Sequence, residues 1–179
     1  ARRQRQMCIR DSNETRLAWK IALESKERPV VMALTRQNLT NLKETESIEG
    51  IEKGAYIISD SSEAPELILI ATGSEVDLAL KVKEKLESDG KNIRVVSMPS
   101  MELFREQDDA YKEEVLPKEA KKVSIEMGST FGWAEWTGTC GLNIGIDSFG
   151  ISGKGEEVTA EFGFTPEKVT EKINQKFFN

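Results

Sequence analysis

Apolar positions along the chain fall into short runs separated by charged or turn-forming residues, and the spacing within each run separates strands from helices. "PVVMAL" is continuous and β-branched, which predicts a buried strand. The "NETRLAWKIALESKERP" stretch that precedes it sets Leu17, Trp19, Ile21 and Leu23 in a helix-compatible order, with Asn13 as the N-cap and Pro29 as the stop. Further along, "GAYIIS" (54–59), "ELILIAT" (66–72), "NIRVVSM" (92–98), "KKVSIEM" (121–127) and "NIGIDSF" (143–149) read as strands. Between them, residues 74–90 carry Leu78, Ala79, Val82 and Leu86 on one helical face and end at Gly90. "MELFREQDDAYKEEVL" and "FGWAEWTG" read as helical pieces. At the end, Thr165 can cap, Pro166 suits the first helical position, and Val169, Ile173 and Phe177 recur every fourth residue.

This alternation over residues 54–179 predicts an α/β fold, a three-layer α/β/α sandwich around a five-stranded, mostly parallel sheet. Its first strand is expected to run antiparallel, because "DSSEAP" is too short for a helical crossover to the next. One helix and one strand cannot cover two faces of a sheet, so residues 13–39 read as the closing unit of a preceding domain. Residues 40–53, "TNLKETESIEGIEK", are polar and read as a linker. The opening "ARRQRQMCIRDS" shows no apolar period and matches nothing that follows, so residues 1–12 are expected to be a disordered or non-native leader.

Charge sharpens the picture. Residues 1–11 carry four arginines and one aspartate against a net charge of −6 for the whole chain, so the rest is more acidic still, which argues against broad nucleic-acid binding. No run approaches a membrane-spanning length and no apolar signal opens the chain, so the expected address is cytoplasmic. Cys8 and Cys140 fit neither a disulfide framework nor a zinc site. The chain has no histidine, which excludes Ser-His and Cys-His nucleophile pairs.

Four places invite chemistry. Arg36 follows the "VVMAL" strand, where a guanidinium meets either an anionic ligand, its fork suiting phosphate, or a structural ion pair. Gly73 and Ser74 form a strand-to-helix turn, a generic anion site or an ordinary cap, with Glu75 opposing an anion. The glycines at 150, 153 and 155 match neither phosphate-loop spacing and read as a flexible connection. Phe131, Trp133 and Trp136 read as core or subunit contact, and Asp108, Asp109, Glu113 and Glu114 as a solvated helix face.

In order along the chain, "LTRQNL", "ELILIATGSEVDLAL", "RVVSMPSMELF", "VLPK" and "SFGISGKGEEVTAEFGFT" resemble the C-terminal third of the transketolase family. The resemblance implies a homodimer that moves a two-carbon ketol unit between sugar phosphates, in the pentose phosphate pathway, with thiamine diphosphate and a divalent cation (Mg or Ca). It implies that residues 13–39 are the last helix and strand of the pyrimidine-binding domain and that residues 54–179 are the whole C-terminal domain. It also places Arg36 on the family's substrate-phosphate arginine, with Thr35 in place of the usual serine. The G-D-G…N diphosphate–metal motif and the family's cofactor histidines are not in this sequence, so the resemblance implies no catalytic, cofactor-binding or metal residues here and no activity for the segment alone. Two other readings stand beside it: a free-standing phosphate- or nucleotide-binding module, and a structural dimerisation domain.

Overall fold

The computed structural model describes residues 5–35, 38–39, 41 and 50–178. Strands β3 (Tyr56–Ser59), β4 (Leu67–Ala71), β5 (Ile93–Ser97), β6 (Lys121–Ile125) and β7 (Leu142–Ile144) form one sheet in the order β3-β5-β4-β6-β7. Every pairing is parallel except that of β3 with β5. The expected antiparallel first strand is therefore present. Its partner is β5 and not the next strand in sequence, because the chain passes to β4 before β3 acquires a neighbour.

All five residues of β4 and of β5 are buried, as expected of parallel strands covered on both faces. Alternate side chains divide between two cores. Leu67, Leu69 and Ala71 of β4 pack with Val76, Val82 and Leu86 of helix α2 (Glu75–Ser88) and with Val169 and Ile173 of α7 (Pro166–Phe177). Ile68 and Ile70 turn the other way, onto Phe104 of α3 (Met101–Arg105), Val115 of α4 (Asp109–Val115) and Trp133, which adjoins α5 (Ala134–Thr137). Burying each such side chain stabilises the fold by roughly 1.5–3 kcal/mol, so the two faces of β4 together define the sandwich.

Several local expectations are corrected. The stretch 101–116 is two helices, because Ser100 caps Leu103 N–H and Asp108 caps Tyr111 N–H, each starting its own turn. The last strand stops at Ile144, one residue before Gly145, whose backbone lies against the Gly128 carbonyl too closely for a Cβ. The glycine-rich stretch, by contrast, leads as expected into a helix, the short α6 (Gly155–Glu161).

The N-terminal region departs most. Residues 1–12 do not behave as a disordered leader where they are described, because Arg5–Ile9 forms a strand, β1. It pairs in parallel register with β2 (Val30–Leu34) and buries Met7 and Ile9, whereas β2, expected to be buried, leaves Val31 and Leu34 exposed because, among the described residues, only one edge and one face of this two-stranded sheet are covered. Helix α1 (Ser12–Glu24) is capped by the Asp11 carboxylate, which accepts from Glu14 N–H at 3.0 Å, so the cap lies two residues before Asn13. Ile51 is also buried, in a single 3-10 turn over Ile51–Lys53, and packs with Ala18 and Leu103. Within the stretch read as a linker, Ile51 therefore belongs to a core that joins α1 and β1 to α3.

Candidate functional site

In open α/β sheets ligands gather where the parallel strands end at their carboxyl side. Here those ends carry Thr72 after β4, Pro99 after β5 and Glu126 after β6, and β1 lies against them through Cys8 N–H donating to the Pro99 carbonyl at 2.8 Å. Two clefts open at this junction. One of about 230 Å³ is lined by Cys8, Thr72, Pro99, Glu126 and Trp133. The other, about 280 Å³, is lined by Asn38, Leu39, Ser74, Glu75, Lys81 and Met127.

The second cleft brings together two stretches that the sequence singled out separately. Asn38 and Leu39 follow β2, while Ser74 turns from β4 into α2. Arg36 itself lies outside the described residues; its neighbour Thr35 is exposed.

At Gly73 and Ser74 the geometry is specific. The Ser74 hydroxyl donates to the Glu75 carboxyl at 2.6 Å, and the Met127 backbone N–H also serves that carboxyl. The Glu75 side chain thus occupies the place where an external anion would meet the helix start. Burial pushes the Glu75 carboxyl above the usual range, and the nearby Glu126 adds to the rise. Glu126 is itself raised by burial, although Trp133 Nε1–H donates to it at 2.7 Å.

A pH dependence follows. Glu14, Glu75 and Glu126 all hold their protons more tightly folded than unfolded, with burial the leading cause for each. A raised carboxyl contributes stability that is present below its unfolded pKa and lost as pH rises through its folded one. Desolvation, the largest single effect on Asp60, is outweighed by the Arg94 and Ser61 hydrogen bonds together with the Arg94 and Lys83 charges; its carboxyl is lowered on balance, so its contribution is lost in the opposite direction, as pH falls. The melting temperature is expected to peak at mildly acidic pH and to fall as pH rises from there toward neutrality, and Glu75→Gln should flatten that fall. Calorimetry across this range checks it; a melting temperature that climbs steadily to neutrality would be the opposite sign.

The remaining candidates are structural. Trp133 is buried in the second core, Trp136 packs on Phe104 at 5.0 Å between centroids, and Asp108 is an exposed helix cap. Phe131 departs from them at 92% exposure. A larger groove lies at the opposite end of the sheet, beside Lys121, Lys122 and Phe177, where both lysine ammonium groups are already engaged with backbone carbonyls. Sequence reasoning passed over one buried constellation, Glu14 with Tyr56 and Ser97. The spacing from Asp11 to Glu14, that of a capping box, marks the helix start, obscured by the choice of Asn13 as the cap, but carries no signal of Tyr56 or Ser97.

Comparison with known proteins agrees with this architecture. The transketolase of Bacillus subtilis is 47% identical over 167 residues, covering 91% of this chain and 25% of its own length. The chloroplastic transketolase of Craterostigma plantagineum is 52% identical over 162 residues, 89% of this chain and 31% of its own. A crystal structure of a Pichia stipitis transketolase in complex with sedoheptulose-7-phosphate superposes with a TM-score of 0.89 at 39% identity, covering 97% of this chain and 25% of that one. The chain thus spans about a quarter to a third of the length of these curated relatives. Residues 54–165 match the family described as the transketolase-like TK C-terminal domain, and the chain belongs to the transketolase family as a C-terminal portion.

Proposed function

We propose that this chain is the C-terminal segment of an enzyme that transfers a two-carbon ketol unit between sugar phosphates, as a homodimer using thiamine diphosphate and a divalent cation, in the pentose phosphate pathway. In this reading residues 13–39, together with β1, close the pyrimidine-binding domain, the stretch from residue 40 up to the packed Ile51 turn links, and residues 54–179 are the C-terminal domain. Arg36 contributes a contact to the substrate phosphate. The observation that carries the reading is the junction itself: β2 runs out toward a cleft shared by Asn38, Leu39 and Lys81, at the carboxyl ends of the large sheet. That a relative has been crystallised with sedoheptulose-7-phosphate supports the substrate class.

The residues present do not fit the cofactor. The sequence contains no histidine and no G-D-G…N motif, and among the described residues no group of three His, Cys, Asp or Glu side chains could hold a cation. No step of the transfer is therefore assigned to this segment, which supplies positioning and is inactive alone. Support of the dimer rests on exposed apolar loops: Phe131 follows β6, and Phe149, 99% exposed, follows β7. The test is the substrate dependence of Arg36→Ala in the complete enzyme. A loss confined to phosphorylated substrates supports the reading, and an equal loss for phosphorylated and unphosphorylated substrates refutes it.

A further inference from the structure

Glu14 belongs to α1, ahead of the matched C-terminal domain, yet its carboxyl ends against two strands of the large sheet. The side chain is wholly buried. Its Oε1 accepts from the Tyr56 hydroxyl at 2.5 Å and from the Ser97 hydroxyl at 2.9 Å, while Oε2 accepts from Arg10 N–H at 2.7 Å. Tyr56 opens β3, Ser97 closes β5, and the two are register partners. Two adjacent strands therefore converge on one oxygen supplied by a helix from outside their sheet.

The apolar contacts around this point involve Ala18, Ile51 and Leu103, with Leu17, Ile21 and Val30 at the margin. Such packing is non-directional and leaves a helix free to rotate or slide by small amounts. Hydrogen bonds to a single buried carboxyl do not, because any shift strands two hydroxyls without an acceptor. Two lesser ties act on the same unit: the Ser12 hydroxyl donates to Asn41 at 2.9 Å, and Arg28 pairs with Glu106 on the surface. From α1 the chain runs through Pro29 directly into β2, which ends one residue short of Thr35 and two short of Arg36.

We propose that Glu14 is a positioning residue: clasped by Tyr56 and Ser97, it fixes α1 and β2 against the C-terminal domain and so sets where the residues after β2 meet the substrate phosphate. The inference rests on the phosphate reading of Arg36 for its kinetic consequence, and on the hydrogen bonds alone for its structural one.

The experiment has two arms. In the complete enzyme, Glu14→Ala is expected to raise KM for a phosphorylated ketose by about tenfold while kcat and the KM of an unphosphorylated analogue stay within about twofold, since small misplacements of a binding group carry large penalties. Glu14→Gln keeps an acceptor for Tyr56 and Ser97 and should recover most of the loss. Tyr56→Phe, the mildest change, should shift KM in the same direction by less. In the 179-residue chain, hydrogen exchange of the α1 amides should quicken at least about tenfold in Glu14→Ala and measurably in Tyr56→Phe, with β4 and β5 amides unchanged. Equal kinetic losses for both substrate types, or exchange rising equally in β4 and β5, would reduce Glu14 to a general stabiliser and overturn the inference. Unchanged α1 exchange in both variants would do the same. If Arg36→Ala shows no phosphate preference, the functional reading falls while the exchange arm still decides whether Glu14 fixes α1.

Discussion

Arg36→Ala, made in the complete enzyme, is expected to weaken phosphorylated substrates by roughly ten- to hundredfold, seen as a higher KM with kcat little changed. The size follows from chemistry: a hydrogen bond to a charged group contributes roughly 1.5–3 kcal/mol, and each ~1.4 kcal/mol is tenfold in affinity. A guanidinium that grips the phosphate before and during reaction supplies uniform binding, so its loss falls on KM. Arg36→Lys keeps the charge but not the planar fork, and should recover part of the affinity only. Steady-state kinetics with a ketose phosphate and its unphosphorylated counterpart, run on all three proteins, separates this from a general defect.

Gly54→Ala should be the most damaging single methyl addition in the C-terminal domain. Gly54 sits at φ +86°, between the Ile51–Lys53 turn and β3. An added Cβ there would lie 2.3 Å from the Ser100 carbonyl oxygen and 2.4 Å from the Phe104 nitrogen. Both are backbone atoms of the α3 start, and the Gly54 carbonyl also accepts from Ser100 N–H at 3.0 Å, so neither side can yield without breaking the junction. The left-handed conformation costs about 1–2 kcal/mol for a residue with a Cβ. Overpacking adds about 1–3 kcal/mol. A fall in melting temperature of about 10 °C is expected for a chain of this size. Gly90→Ala is the control: it has φ +75° but nothing within 4 Å of the added methyl, so it should cost only the conformational part. Equal losses at the two sites, measured by calorimetry, would show that the close approach at Gly54 is readily relieved.

What could be read from the chain before its structure was set by how local each signal is. Strands β4 and β5 and helices α2 and α7 were legible because burial on both faces, or on one helical stripe, writes itself into adjacent residues. The direction of β3 was legible from a short loop; its partner was not, because strand order depends on where later segments cross over. Residues 5–9 hide a period-two alternation, Met7 and Ile9 inward between Gln6 and Cys8, in a run too short to stand out among arginines. At the site, the turn of Gly73 and Ser74 was legible as an anion site or an ordinary cap with Glu75 opposing an anion, and the structure adds that the Ser74 hydroxyl and the Met127 N–H hold that carboxyl. Glu14 was least legible of all: an acidic residue in the first turn of a helix reads as a surface complement to the helix dipole, and nothing in the local sequence reveals that Tyr56 and Ser97 will meet it from 42 and 83 residues away.

The most direct measurement is a replacement. Residues 13–179 can be spliced in place of the corresponding segment of the Bacillus subtilis transketolase, which is 47% identical to this chain, and ketol transfer between sugar phosphates measured in the purified chimera. The expected result is a folded enzyme whose kcat/KM lies within about tenfold of its parent, a difference of ~1.4 kcal/mol in transition-state stabilisation. A chimera that folds and takes up thiamine diphosphate, yet transfers no ketol unit, would contradict the assignment of this chain as the C-terminal segment of such an enzyme.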